Sequence, residues 1–447
     1  MRRPSTLRIV LLSGSLAVLS VAGFAVSQML PLPAHPSSAV TPQGLLSKSF
    51  DDSAPNAAQV RRGQYLVAAG DCISCHLREG GEAFAGGLAL NTPFGLIYTS
   101  NITPDRDTGI GAWSSDQFFR AMHDGKGAHG EDLYPAFPYP WFRRVSREDD
   151  DAIFAFLMTL PAVNYTPPKN DLAFPLNFRT LVGAWNTLFL DSHNFQSDPE
   201  QSAEWNRGAY LVNGLGHCGA CHTPKNSLGA DKSKQELQGG KLDNWVAPDL
   251  TGNTRIGLGD WSVDDIAEFL ASGRNAHAAA GGAMADVISY STSFISDADR
   301  RAIAVYLKSQ PASPSVAASS PDAGAMRRGA EIYSDACASC HLDNGVGQSR
   351  LFPPLGKDAM LQQPDPTGLE HLILGGTRIG VSASRPSPLG MPSFAWKLTD
   401  QEIADVSTYI RNSWGNQAAP VAVADVSELR KKLNLQTVRL TDNSGDH

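Results

Sequence analysis

The six cysteines of this chain fall into three pairs, Cys72/Cys75, Cys218/Cys221 and Cys337/Cys340, each spaced CxxC. Each pair is followed at once by a histidine: His76, His222 and His341. A disulfide framework explains paired cysteines in an exported protein, but not a histidine after every pair. A structural zinc site usually takes two CxxC pairs and would leave one unmatched. A thioredoxin-like dithiol is expected once, near a βαβ pattern. The reading that uses every cysteine is c-type haem attachment. The two thiols form thioethers with the porphyrin, and the imidazole binds the iron from one side. Positions i, i+3 and i+4 of a helical turn share a face, so all three groups can meet one macrocycle. The expected cofactors are three covalently bound haems c.

A c-type iron often takes a methionine on its second face. The chain has eight methionines. Met284, in "AGGAMADVI", follows His222 at a distance that Met391, in "PLGMPSF", roughly repeats after His341. Both sit in Gly/Pro-rich loops that can fold over a haem, and both are expected as axial ligands. Core filling is the ordinary role of methionine and suits Met158 and Met360. In the first copy, the distance from His222 to Met284, counted from His76, leads to within one residue of Phe137 in "EDLYPAFPYPWF". Alignment on Trp113 and Trp261 agrees to within one position, Phe137 again matching Met284. A phenyl ring cannot coordinate iron, so three readings stand. A side chain of "RAMHDGKGAHGED" replaces the ligand, namely Met122, His123 or His129; the iron is five-coordinate beneath Phe137; or the loop is shifted. Met122 is preferred, because a thioether keeps the three centres alike.

The elements that must hold these residues repeat with them. Each motif is preceded by a helix-like stretch: "RRGQYLVAAGDCISCH", "NRGAYLVNGLGHCGACH" and "RRGAEIYSDACASCH". Gly63, Gly208 and Gly329 lie nine, ten and eight residues before the first cysteine, which points to close helix packing. Each copy closes alike, with "SREDDDAIFAFL", "SDADRRAIAVYL" and "TDQEIADVSTYI". Ser146, Ser296 and Thr399 are expected N-caps, with Asp149, Asp299 and Glu402 completing capping boxes. Phe156, Tyr306 and Tyr409 stand ten residues after each cap. The expected fold is all-α, one helical unit used three times with long loops. Its segments are residues 50–163, 204–310 and 326–415, joined by 164–203 and 311–325 and followed by a tail, 416–447. The first connection carries an amphipathic stretch, 178–190, suited to covering a domain junction, in preference to docking a partner or a membrane. The second, "PASPSVAASSPDAG", is a Pro/Ala/Ser-rich linker.

Composition sets the frame. A chain of 447 residues fits about three domains, and its 18% charged residues and many Gly and Pro describe a loop-rich globular protein. The net charge of −8 and the lack of a basic face argue against nucleic acid as a partner. At the start, Arg2, Arg3 and Arg8 precede an uncharged run, residues 9–26. Positive flank and apolar stretch are the grammar of a hydrophobic anchor helix or of a cleaved export signal within residues 1–30. Both place the remainder outside the cytoplasm. No GxGxxG fingerprint or nucleophile elbow marks a substrate site.

With these motifs the chain resembles the membrane-bound triheme cytochrome c subunits of bacterial periplasmic dehydrogenases. The resemblance covers nearly all of residues 50–430 and rests on "NITPDRDTGIGAW", "LYPAFPY", "NFRTLVGAWNTLFL", "CGACHTPKN", "FPPL", "GMPSF" and "RNSWGN". It implies three class I-like cytochrome c domains, with His76, His222 and His341 as proximal ligands and Met284 and Met391 as distal ones. It implies a catalytic subunit as partner, whether a molybdenum enzyme, a quinoprotein or a flavoprotein. It further implies electron delivery to ubiquinone or a terminal oxidase, on the periplasmic side of the inner membrane. The alcohol and sugar branches commonly carry methionine within "LYPAMPY"; Phe137 is more similar to the molybdenum-enzyme partners. The competing functions are a haem peroxidase with an open position at the first haem, and a free-standing electron shuttle.

Overall fold

The computed structural model describes residues 41–51, 53–191, 194–315 and 320–436. The first copy holds α1 (Ala57–Ala69), α2 (Ser115–Asp124) and α3 (Arg147–Leu157). A connecting helix, α4 (Thr180–Phe189), leads to α5 (Ala203–Tyr210), α6 (Val263–Ser272) and α7 (Asp297–Lys308) of the second. The third holds α8 (Ala323–Ala336), α9 (Thr367–Gly375) and α10 (Asp400–Ile410), with α11 (Val423–Lys432) after it.

In each copy the helix before the haem motif crosses the closing helix at the glycine. A Cβ on Gly63 would lie 1.8 Å from the Ala152 carbonyl oxygen, one on Gly208 2.0 Å from that of Ala302, and one on Gly329 2.3 Å from that of Asp405. One turn on, the same Cβ would meet Phe156, Tyr306 or Tyr409. The backbones touch where no side chain intervenes. An arginine one residue before each glycine clamps the crossing: Arg62 to Asp149, Arg207 to Asp299 and Arg328 to Asp405. All three expected N-caps form, accepting from the backbone N–H of Asp149, Asp299 and Glu402. Of these three caps, only Thr399 closes a full capping box, with Glu402. In the other copies the carboxylate at that position turns to the arginine instead.

The unequal glycine-to-cysteine spacings have a local solution. In the second copy α5 runs into a π-helical turn, Leu211–Leu215, and a wider turn takes up the extra residue. Asp71 and His217, just before the first cysteine of copies one and two, are left-handed at φ 51 and 37. The shorter third copy carries α8 directly to Cys337.

The chain is mostly helical, but the loops after each motif pair as short antiparallel ribbons. These are β1 (Ala89–Thr92) with β2 (Gly95–Tyr98), β4 (Gln238–Leu242) with β5 (Trp245–Asp249), and β6 (Thr377–Arg378) with β7 (Gly390–Met391). β3 (Asp171–Leu172), from the first connection, adds to β2. The β4–β5 hairpin turns on Asp243-Asn244, with Asp243 at φ 48, the left-handed geometry that a two-residue hairpin loop favours.

Copies one and two share one hydrophobic core, which runs from Leu45 to Leu307 and includes Leu66, Leu211 and Leu215. Their contact is reciprocal. Tyr65, two residues after Gly63, donates to Asp299 at 2.5 Å, and Tyr210, two after Gly208, donates to Asp149 at 2.6 Å. Each copy thus reaches the closing helix of the other, as in an isologous dimer. The third copy has a separate core and carries exposed Glu331 at the equivalent place. The stretch expected as a tail packs there: Val426 and Leu429 of α11 are buried, and Arg430 donates to the carbonyls of Ala395 and Leu398.

Helix α4 lies across the junction of copies one and two. Tyr139 donates to Asn186, Arg179 to the Asp132 carbonyl, and Trp185 to the Leu228 carbonyl. The apolar run 9–26 lies outside the described residues. Among the described residues no helix is long and apolar enough to cross a membrane.

Candidate haem-attachment sites

Each CxxCH motif forms one short helical turn, Cys72–Cys75, Cys218–His222 and Ala338–His341. In all three the histidine is held in the same way. Nδ1 of His76 lies 2.6 Å from the Ser100 carbonyl oxygen, Nδ1 of His222 2.7 Å from that of Pro248, and Nδ1 of His341 3.0 Å from that of Pro353. A carbonyl only accepts, so each Nδ1 carries the proton and donates it. Nε2 is left with a free lone pair in a fixed direction, the state an iron ligand requires. Burial holds all three imidazoles below their ordinary pKa, against a smaller opposing effect of the carbonyl. The ribbons are what deliver the first two acceptors: Ser100 follows β2, and Pro248 lies within β5.

The cysteines are free of disulfides. Burial pushes the thiols of Cys72, Cys75 and Cys218 up to about 12 and those of Cys221 and Cys337 to about 11. A reactive dithiol or a zinc thiolate needs the opposite shift. Among the described residues no three His, Cys, Asp or Glu side chains converge as a metal cluster. The residues present fit a covalent haem: neutral thiols beside a tethered imidazole. Arg143 Nε, Arg255 Nε and Nη2, and Arg274 Nε are buried without a hydrogen-bond partner. Such guanidinium donors suit the anionic propionates of a porphyrin.

Met284 sits in the short helix Ala283–Val287 and Met391 in β7. Both are partly buried, each packed against its own core. Their loops meet: Met391 pairs with Thr377, whose hydroxyl accepts from the backbone N–H of Gly282 at 3.1 Å. Phe137 packs on the shared core, its ring 5.5 Å from Phe142 and 6.3 Å from Tyr139. Phe142 in turn lies 5.1 Å from the ring of His217, beside Cys218, and Trp141 packs on Gly219, where a Cβ would lie 2.1 Å from its ring.

The three side chains weighed against Phe137 occupy different places. Met122 is buried in α2, three residues before Gly125, which ends the helix at φ 60. Leu270 and Ile373 hold the same position before Gly273 and Gly376, which end α6 and α9, and both are core residues. His123 is buried with Nε2 2.8 Å from Asp150 and its ring stacked on Phe119. His129 is exposed.

The carbonyls of Ser100, Pro248 and Pro353, the hydroxyl of Thr377 and the buried arginines are functional groups that motif reading passes over. Backbone acceptors leave no side-chain signature. The tyrosine pair alone is visible, as "GQY" and "GAY" in two repeats against "GAE" in the third.

The cytochrome c family profile matches residues 206–311 and 326–414. The gluconate 2-dehydrogenase cytochrome c subunit of Pantoea cypripedii is 43% identical over 409 residues, covering 86% of this chain and 92% of that one. The cytochrome c subunit of the quinone alcohol dehydrogenase of Gluconobacter oxydans is 40% identical over 414 residues, 87% of this chain and 86% of its own. A nicotinate dehydrogenase subunit of Pseudomonas putida is 41% identical over 384 residues, 83% of this chain but 31% of that longer protein. With three motifs held alike and relatives matched over most of both lengths, the chain belongs to the cytochrome c family, among the cytochrome c subunits of dehydrogenases.

Proposed function

We propose that the chain carries three haems c in three cytochrome c domains, residues 50–163, 204–310 and 326–415, and relays single electrons from a dehydrogenase's catalytic subunit to ubiquinone or a terminal oxidase. The observation that carries this reading is the shared tether of His76, His222 and His341 through Nδ1 to a backbone carbonyl. The bound haem supplies the one-electron iron couple. The chain's residues hold and tune it. Cys72, Cys75, Cys218, Cys221, Cys337 and Cys340 would anchor it, the three imidazoles would offer Nε2 to the iron, and the thioethers of Met284 and Met391 would supply the further ligand, which raises the potential relative to other ligation.

The contacts between copies support the order one, two, three. The distal segment of copy one, through Phe142 and Trp141, lies on the attachment turn of copy two. The distal loops of copies two and three meet at Thr377. The periplasmic face of the inner membrane is the fitting location, since haem attachment and the N-terminal apolar run both belong to exported chains. The partner is a dehydrogenase's catalytic subunit, a molybdenum enzyme, a quinoprotein or a flavoprotein.

The test is haem stoichiometry on the purified chain by pyridine haemochrome, followed by potentiometric titration. Three haems and three resolvable potentials are expected, and loss of one haem for each Cys-to-Ala pair. A stoichiometry of two sinks the three-domain relay. Gentle purification with the partner then identifies the catalytic subunit and its cofactor.

A further inference from the structure

Resting on the three-haem reading, we propose that Phe137 leaves the haem held by Cys72, Cys75 and His76 without a distal protein ligand, and that this centre binds small uncharged diatomic molecules such as carbon monoxide. The internal repeats carry the argument. Phe137 stands where copy two places Met284, to within one residue both by distance from the motif histidine and by register on Trp113 and Trp261, and it precedes the cap Ser146 by nine residues where Met391 precedes Thr399 by eight.

Each replacement is committed elsewhere. Met122 holds the core position of Leu270 and Ile373, in copies whose own distal methionine lies in a different segment. His123 gives Nε2 to buried Asp150 and is stacked at 3.9 Å on Phe119. His129 is exposed. Its counterpart His277, at the same offset from Trp261 as His129 from Trp113, stacks on Trp261 with Nε2 3.3 Å from Asp265. Met158 caps the end of α3, at the distance from Ser146 where copies two and three, counted from their own caps, have Lys308 and Arg411.

The surroundings of Phe137 are aromatic. Phe137 packs between Phe142 and Tyr139, and the Tyr139 hydroxyl is turned to Asn186 on α4. A phenyl ring neither donates nor accepts a proton, so it cannot assist cleavage of a peroxide bond. Distal donors and bases decide between ligand binding and activation. The geometry therefore favours an apolar ligand of ferrous iron and counts against the peroxidase reading.

The experiment uses the purified holoprotein. Haem content is measured first, and a count below three sinks the relay reading and this assignment with it. At three haems, dithionite-reduced protein titrated with carbon monoxide takes up one molecule per chain, and the ferric protein shows a high-spin EPR signal from one centre. Phe137→Met loses both while keeping its three haems. Phe137→Leu, which removes the ring without supplying a ligand, keeps both. With three haems present, no uptake by the wild type overturns the assignment and leaves the relay standing. Uptake that appears only in Met122→Leu or His129→Ala overturns it in favour of that ligand. Uptake unchanged in Phe137→Met overturns it by placing the open iron elsewhere.

Discussion

Glu370 is 1% exposed in the third copy, and neither of its carboxylate oxygens has a hydrogen-bond partner. Burial raises its pKa to about 7, helped by Asp425 and Asp365 and opposed by Arg411 and Lys241. The folded state therefore holds a proton that the unfolded chain releases near its ordinary value of 4.5. The sign follows by linkage: stability is fully present below pH 4.5 and is lost as pH rises through about 7. Glu370→Gln should remove this slope and stabilise the third copy at pH 8 by on the order of 2 kcal/mol. Thermal melts from pH 5 to pH 8 check it; a parallel slope in the variant would show that Glu370 does not titrate there. The unpaired carboxylate has close company: Arg411 is wholly buried and donates its hydrogen bonds to the carbonyls of Leu361, Gln363 and Ala419.

Among the elements, two devices are repeated and can be broken separately. The first is the glycine crossing. Gly208→Ala places a methyl 2.0 Å from the backbone oxygen of Ala302, and backbone cannot rotate aside. The change should cost about 2–3 kcal/mol, as overpacking does, and lower the haem content of copy two before that of copy three. A melting temperature within error of wild type would mean that the helices separate freely. The second device is the tyrosine exchange. Tyr65→Phe and Tyr210→Phe each lose a hydrogen bond to a carboxylate, at about 1.5–3 kcal/mol apiece. Both should weaken the pairing of copies one and two alike, because the contacts are equivalent. If one substitution is neutral by urea denaturation, the reciprocity is only geometric. Copy three has no such pair to lose.

For the whole molecule, the two junctions differ in kind. Copies one and two join through a continuous apolar core. Copies two and three join through polar contacts: Gln362 and Gln363 donate to the carbonyls of Arg255 and Ile256, Lys241 pairs with Asp365 at 2.9 Å, and Arg350 pairs with Glu268. His371 donates to the Asn244 carbonyl and stacks on Trp245. Interfaces of this type part more readily than apolar ones, and exposed ion pairs weaken with salt. Calorimetry should therefore resolve two transitions, one for copies one and two together and one for copy three with α11. High salt should widen their separation. A single cooperative transition at every salt concentration would contradict this division.

The chemistry and the repeat were legible before any folding was known. Three CxxCH motifs, three glycines and three capped closing helices are local patterns, and local patterns are written in neighbouring residues. The caps Ser146, Ser296 and Thr399 formed as their spacing requires, and the crossing at Gly63, Gly208 and Gly329 followed from the missing side chain. Packing settled what depends on distant partners. The capping boxes of copies one and two stayed half-formed because Arg62 and Arg207 claim the carboxylates from another helix. The histidines were oriented by carbonyls 24, 26 and 12 residues away, which no side-chain motif records. Met122 is buried at the position that Leu270 and Ile373 hold in the other copies, and burial is settled by the packing of whole helices. The pairing of the first two copies, and the docking of α11 on the third, likewise depend on which apolar faces find each other once the chain is folded.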